Sequence, residues 1–144
     1  MSDRFFLDTN IFVYSFDRGA VAKSRRATQL IRTALKTQKG ITSYQVVQEF
    51  FNVALQRFTQ PMKVDEAEQY YSTVLHPLLG IHSSQALYLD ALHLQSRYRL
   101  SWYDSLIVAA AIQAQCQVLI TEDLQHGQQF GDLRIENPFL SPAS

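Results

Sequence analysis

Cysteine is nearly absent from this chain. Cys116 is the only one among 144 residues, so no internal disulfide can form, and a reducing cytosol is the natural compartment. Long apolar runs are missing too: the longest, Leu106 to Ile112, falls far short of the roughly 20 residues that a membrane span needs. Asp3 and Arg4 interrupt the N-terminus where a secretory signal would carry an apolar stretch. The expectation is a soluble, cytoplasmic protein with no membrane partner. Glycine is scarce, and Gly127 and Gly131 stand isolated in a polar stretch, so no loop can cradle phosphates. His76, His82, His93 and His126 are scattered without metal-ligand spacing, and no serine sits in a nucleophile elbow. Zinc centres, disulfide scaffolds, phosphate-binding loops and Ser/His/Asp hydrolysis are thereby set aside. Cys116 closes an alanine-rich segment and reads as a small core residue.

Net charge is also lacking, but the zero total hides segregation. Residues 18 to 63 carry nine basic side chains (Arg18, Lys23, Arg25, Arg26, Arg32, Lys36, Lys39, Arg57, Lys63) against Glu49 alone. The rest of the chain has Arg4, Arg97, Arg99 and Arg134 against twelve acids. Any one charge run is ordinarily a solvated face. A basic segment beside a cluster of acids is also what a metal-using, phosphate-binding enzyme requires.

What is present is an alternation of strands and helices. The 47% apolar and 18% charged shares are ordinary for a globular protein, and the length predicts one domain over residues 1–140 with 141–144 as a frayed tail. Arg4-Phe5-Phe6-Leu7-Asp8 is an apolar run ending in a carboxylate, with Ile11, Phe12, Val13 and Tyr14 starting a new apolar segment at once. It reads as a buried parallel strand handing over to a helix spanning Asn10 to Phe16. Asp8 then lies at the carboxyl edge of a sheet, where ligands bind in open α/β folds, although Asp8 or Thr9 also suits a helix N-cap. A basic amphipathic helix follows from Val21 to Gln38, then a short strand at Gly40-Ile41-Thr42-Ser43, then a helix from Tyr44 to Phe58. On that helix Glu49 falls at the edge of a broad apolar arc beside Val46 and Val53, with Gln45, Gln48, Asn52 and Gln56 opposite. A glutamate there is by default a solvated rim residue.

Beyond Pro61, Val64 to Leu75 predicts an acidic helix, Ile81-His82 a short strand or loop, and Ser83 or Ser84 the cap of a helix running to Tyr98 with Leu87, Ala91, Leu92 and Leu94 as core positions. Tyr70, Tyr71, Tyr88, Tyr98 and Tyr103 read as half-buried core residues rather than base-stacking platforms. Ser105 to Ala114 is a strongly apolar helix whose Ala109, Ala110 and Ala111 permit close approach to the sheet, with Asp104 in its first turn. Gln117 to Thr121 is a buried strand that ends, like the first, in acids, here Glu122 and Asp123, and Leu133 to Glu136 is a last strand. The pattern is α/β, a mostly parallel sheet between helices. Right-handed crossovers place the ends of the Asp8 and Thr121 strands on one edge.

Asp8, Glu49, Asp104 and Asp123 thus converge. Clustered carboxylates repel one another unless a cation neutralises them, and an oxygen donor set without cysteine or histidine selects Mg²⁺ or Mn²⁺. The chemistry implied is metal-assisted transfer of a phosphoryl group to water.

Phe6-Leu7-Asp8-Thr9-Asn10, Glu49, Tyr103-Asp104-Ser105-Leu106-Ile107 with its alanine run, and Leu119-Ile120-Thr121-Glu122-Asp123 resemble, in order, the successive motifs of the PIN domain. Within it, the chain resembles the VapC-type toxins of toxin-antitoxin systems. The resemblance implies a three-layer α/β/α fold around a twisted, mostly parallel sheet, and a Mg²⁺- or Mn²⁺-dependent endoribonuclease. It assigns Asp8, Glu49, Asp104 and Asp123 to catalysis and metal binding, with Glu122 second to Asp123, and gives Thr9, Asn10 and Thr121 supporting roles. It also implies a homodimer and a small antitoxin. Lys23, Arg25, Arg26 and Arg32 are then the candidates for RNA-backbone contact. A metal-dependent nuclease acting on structured DNA and a non-catalytic PIN scaffold are the rival expectations.

Overall fold

The structure is a computed structural model describing residues 3–140. The frayed tail expected at 141–144 lies outside the described residues. Six strands form one sheet in the order β3-β2-β1-β4-β6-β5, where β1 is Phe5–Leu7, β2 Gly40–Ser43, β3 Leu79–Ile81, β4 Val118–Ile120, β5 Gln129–Phe130 and β6 Leu133–Glu136. All neighbours are parallel except β5, which runs antiparallel to β6. The helices are α1 (Thr9–Tyr14), α2 (Val21–Thr37), α3 (Tyr44–Ala54), α4 (Val64–Tyr70), a single turn α5 (His76–Leu78), α6 (Gln85–Tyr98) and α7 (Trp102–Gln113). The mixed α/β fold with a mostly parallel sheet is the expected one. The chain steps from β1 outward through β2 to β3 and then crosses back to β4 on the other side of β1. The strand order therefore reverses between β1 and β4, and a crevice opens there at the carboxyl edge.

Short apolar strands pair here because both faces are covered. Phe6, Leu7, Leu119 and Ile135 are fully buried. Helix α7 is buried continuously from Ser105 to Ala111, the pattern of a helix enclosed on all sides. On α6, Leu87 and Ala91 face the core as expected, whereas Leu92 is half exposed because it lies off the seam that those two define.

Helices α3 and α4 and the strand β5 depart from the sequence reading for local reasons. Helix α3 stops at Ala54 rather than Phe58, because the chain returning after Pro61 brings the Met62 N–H onto the Ala54 carbonyl at 2.9 Å. The expected helix from Val64 to Leu75 widens into a π-helical turn over Tyr71–Leu75. Pro77 lies two residues on, and it has no N–H to give the Thr73 carbonyl the bond that a continuous α-helix would make there. The edge strand β5 was not anticipated; two residues carry no periodicity to read.

Gly40 shows how tightly α2 lies on β2. A Cβ there would come within 2.2 Å of the Ala34 Cβ and 2.8 Å of its Cα. Gly40→Ala is expected to cost about 1–3 kcal/mol in urea unfolding; an unchanged midpoint would mean that the helix yields freely.

Candidate active site

Asp8 follows β1 and caps α1: its Oδ1 accepts from the Thr9 N–H at 2.7 Å. Its other oxygen accepts from the Thr121 hydroxyl at 2.7 Å, across the crevice between β1 and β4. Cap and site are therefore the same side chain, one oxygen for each. Leu7 pairs with Ile120 in the parallel register, which brings Asp8 and Thr121 side by side one step further on. The Thr121 Oγ1 in turn accepts from the Asp123 N–H at 3.0 Å, shaping the turn that carries Asp123.

Glu49 arrives from α3. Its Oε1 accepts from the Thr9 hydroxyl at 3.1 Å and from the Gln45 amide at 3.3 Å. The same Gln45 nitrogen donates to the Tyr103 carbonyl at 3.2 Å, tying α3 to the first turn of α7 where Asp104 sits. Gln45 was expected on the polar side of its helix and is instead almost wholly buried. The signal was available in its spacing, four residues before Glu49 on the same helical face. Ser101 caps α7 by accepting from the Asp104 N–H at 3.1 Å, fixing where the Asp104 side chain begins. The Asn10 side chain is near enough to Asp123 to favour its ionised form. Yet the amide nitrogen and oxygen of Asn10 are both buried without a hydrogen bond.

Burial pushes the Asp8 carboxyl up to about 7; the Thr121 and Thr9 hydrogen bonds oppose this, and the charges of Asp123 and Glu49 add to it. Burial likewise raises Glu49, with the charges of Asp123 and Asp104 in the same direction. Asp123 is raised by burial and then by Asp104. The four acids thus act on one another, and among the described residues the side-chain ion pairs, Lys23 with Glu122 and Lys39 with Asp3, include none of them. Among those residues no three His, Cys, Asp or Glu side chains stand close enough to hold an ion as they are. The donor set nevertheless fits a hard divalent cation: all oxygen, mutually repelling, uncompensated, with an unpartnered amide beside it.

Glu122 points elsewhere. It accepts from the Tyr14 hydroxyl and, at 3.0 Å, from Lys23, whose ammonium also lies 4.6 Å from the Tyr14 ring centre. Asp123 is the member of the pair whose charge bears on Asp8. Lys23, grouped by sequence with the free basic residues of α2, is engaged in this clamp. Arg26 donates to Gln29 at 3.0 Å, while Arg25 and Arg32 line an open groove along α2 with Thr28 and Lys36.

Among known proteins, the PIN domain family model matches residues 5–128. No curated protein matches the chain. Solved structures share the fold at low identity. A toxin-antitoxin complex from Klebsiella pneumoniae superposes with a TM-score of 0.64 at 23% identity, over 93% of this chain and 97% of that one. FitAB bound to an IR36 DNA fragment gives a TM-score of 0.72 at 16% identity, over 96% and 98%. VapC20 of Mycobacterium tuberculosis, a sarcin-ricin loop cleaving toxin, gives 0.57 at 18% identity, over 80% and 86%. With the family model running from β1 past the turn that carries Asp123, the chain belongs to the PIN domain family.

Proposed function

We propose that this chain is a metal-dependent endoribonuclease, the toxin of a toxin-antitoxin pair, with residues 1–140 acting as one catalytic unit. The observation that carries the reading is the buried Asp8 carboxylate, held by Thr9 and Thr121 at the point where the strand order reverses, with the charges of Asp123 and Glu49 bearing on it. Asp8, Glu49, Asp104 and Asp123 are the residues that would hold Mg²⁺ or Mn²⁺, which when bound supplies Lewis-acid chemistry for attack of water on a phosphodiester.

The chain's own groups prepare that site. Thr121 and Thr9 orient the carboxylates of Asp8 and Glu49, Gln45 holds Glu49 against α7, and Asn10 stands beside Asp123 with hydrogen-bonding capacity unused. The Tyr14–Glu122–Lys23 clamp fixes the neighbouring turn. Phosphates of the strand away from the cut are drawn to Arg25, Arg26 and Arg32. The toxin assignment and an antitoxin partner are supported by structural neighbours that are toxin-antitoxin complexes; a homodimer and a small antitoxin complete the reading as part of the proposal.

The test is incubation of purified protein with pooled single-stranded RNA and matched DNA in Mg²⁺, Mn²⁺ or chelator. RNA is expected to be cut only with metal. Cleavage in chelator, or of DNA alone, would overturn the reading. Neutralising Arg25, Arg26 and Arg32 together is expected to weaken RNA binding and to reduce its log-log salt slope by about 2; an unchanged slope would remove α2 from the interface.

A further inference from the structure

Around the first turn of α7, Trp102 and Tyr44 pack against the core, but two other aromatic residues, Tyr103 and Tyr88, are exposed. Tyr103 immediately precedes Asp104 and is 65% exposed, although α7 is otherwise buried from Ser105 to Ala111. Tyr88 on α6 is 40% exposed and stacks on Trp102, with ring centres 6.3 Å apart and planes 26° from parallel. Tyr44, the first residue of α3, completes the group. Burial and then its hydrogen bond to Tyr88 push its hydroxyl up to about 12, with a smaller contribution from Tyr103. The sequence reading of Tyr88 and Tyr103 as half-buried core residues is thereby corrected.

We propose that Tyr103, with Tyr88 and Trp102 behind it, forms a stacking platform for unpaired bases of the RNA strand beside the carboxylates. This rests on the endoribonuclease reading and adds a base-binding subsite to it. Three observations favour bases as the occupant. The platform is continuous with the acids, through the Tyr103-Asp104 step and through Gln45, which bonds both the Tyr103 carbonyl and Glu49. Its members are uncharged rings, some with hydroxyls, which suit the faces and edges of any base. The charged contacts lie elsewhere: α2 reaches the site through Lys23 at Glu122, next to Asp123, so cations attend one acid and aromatics another. A strand laid across the carboxylates meets phosphate-binding groups towards Asp123 and rings towards Asp104. Such a platform accepts splayed single-stranded bases and rejects a duplex, whose bases stay stacked.

The experiment compares wild type, Tyr103→Ala and Tyr103→Phe. In Mg²⁺, Tyr103→Ala is expected to raise KM for single-stranded RNA about tenfold with kcat nearly unchanged, and Tyr103→Phe to restore it, because stacking needs the ring and not the hydroxyl. In chelator at low salt, RNA is expected to perturb the fluorescence of Trp102, the only tryptophan, while an abasic ribose-phosphate strand of the same length does not. RNA cleaved with the same KM by Tyr103→Ala, or a Phe variant no better than the Ala variant, removes the platform and leaves the nuclease reading standing. Equal fluorescence changes with the abasic strand also overturn it. Unchanged RNA kinetics together with a loss of self-association on sedimentation would assign the rings to contact between copies of this chain instead. RNA left intact in metal takes down the nuclease reading and the platform with it.

Discussion

Asp8→Asn is expected to reduce RNA cleavage by at least about 10²-fold and, in chelator at pH 8, to raise the melting temperature. Both effects come from one buried carboxyl. In the folded chain without metal it titrates near 7 instead of near 3.8. Between those values the unfolded chain has released the proton that the folded chain still binds, so stability falls as pH rises through this window. The penalty is absent below about pH 4 and complete above about pH 7. At 1.36 kcal/mol per unit it amounts to roughly 4 kcal/mol. Asparagine fits the same pocket, its oxygen taking the Thr9 N–H and its nitrogen donating to the Thr121 hydroxyl, and it carries no charge to bury. The variant is expected to melt several degrees above wild type at pH 8 and to match it near pH 4. A variant less stable than wild type at pH 8 would mean that the carboxylate is not under strain.

The second large effect is structural. Phe50 is fully buried on α3, beside Glu49, and packs against the rings of Phe12, Phe16, Phe51, Phe58 and Tyr70, whose centres lie 5.0 to 6.5 Å away. Tyr70 stacks on it at 24°, and the other four meet it edge-on or tilted. Phe50→Ala is expected to cost about 3–5 kcal/mol, since an interior of stiff rings collapses poorly into the space left behind. Phe50→Leu, which retains much of the volume, is expected to cost less. Urea unfolding measures both, and a cost below about 1 kcal/mol for alanine would show that the cluster repacks. Cleavage by the alanine variant should also fall under conditions where it remains folded, because α3 holds Glu49 at the site.

How much of this was readable beforehand depends on the range of the interaction. Strands β1 and β4 are contiguous apolar runs that end in acids, and β6 alternates apolar with charged residues, so the middle of the sheet and its carboxyl edge were legible. The cap of α6 by Ser84 is local and was legible too, as one of two adjacent serines; α7 starts at Trp102, three residues before the Ser105 read from its apolar run, with Ser101 as its cap. Gln45 was misplaced because its helix alone presents a polar side there; the Tyr103 segment, distant in sequence, covers it. Lys23 meets Glu122 across 99 positions, a pairing that no helical spacing encodes. Tyr103 reads as core from an apolar neighbourhood, and only the fold reveals that the first turn of α7 protrudes beside the acids. The separation of Asp123 from Glu122 followed the same logic, because two adjacent acids after a strand point apart and their partners decide which faces the crevice.

Calorimetric titration of Mn²⁺ into the protein at pH 8, with wild type beside Asp8→Asn, tests the central claim most directly, since it asks of the four carboxylates only whether they hold a cation. The account predicts saturable binding to wild type, with release to the buffer of the roughly tenth of a proton that a carboxyl titrating near 7 still holds at pH 8, and loss of that binding in the variant. No binding to folded wild type, or equal binding to both proteins, would contradict it.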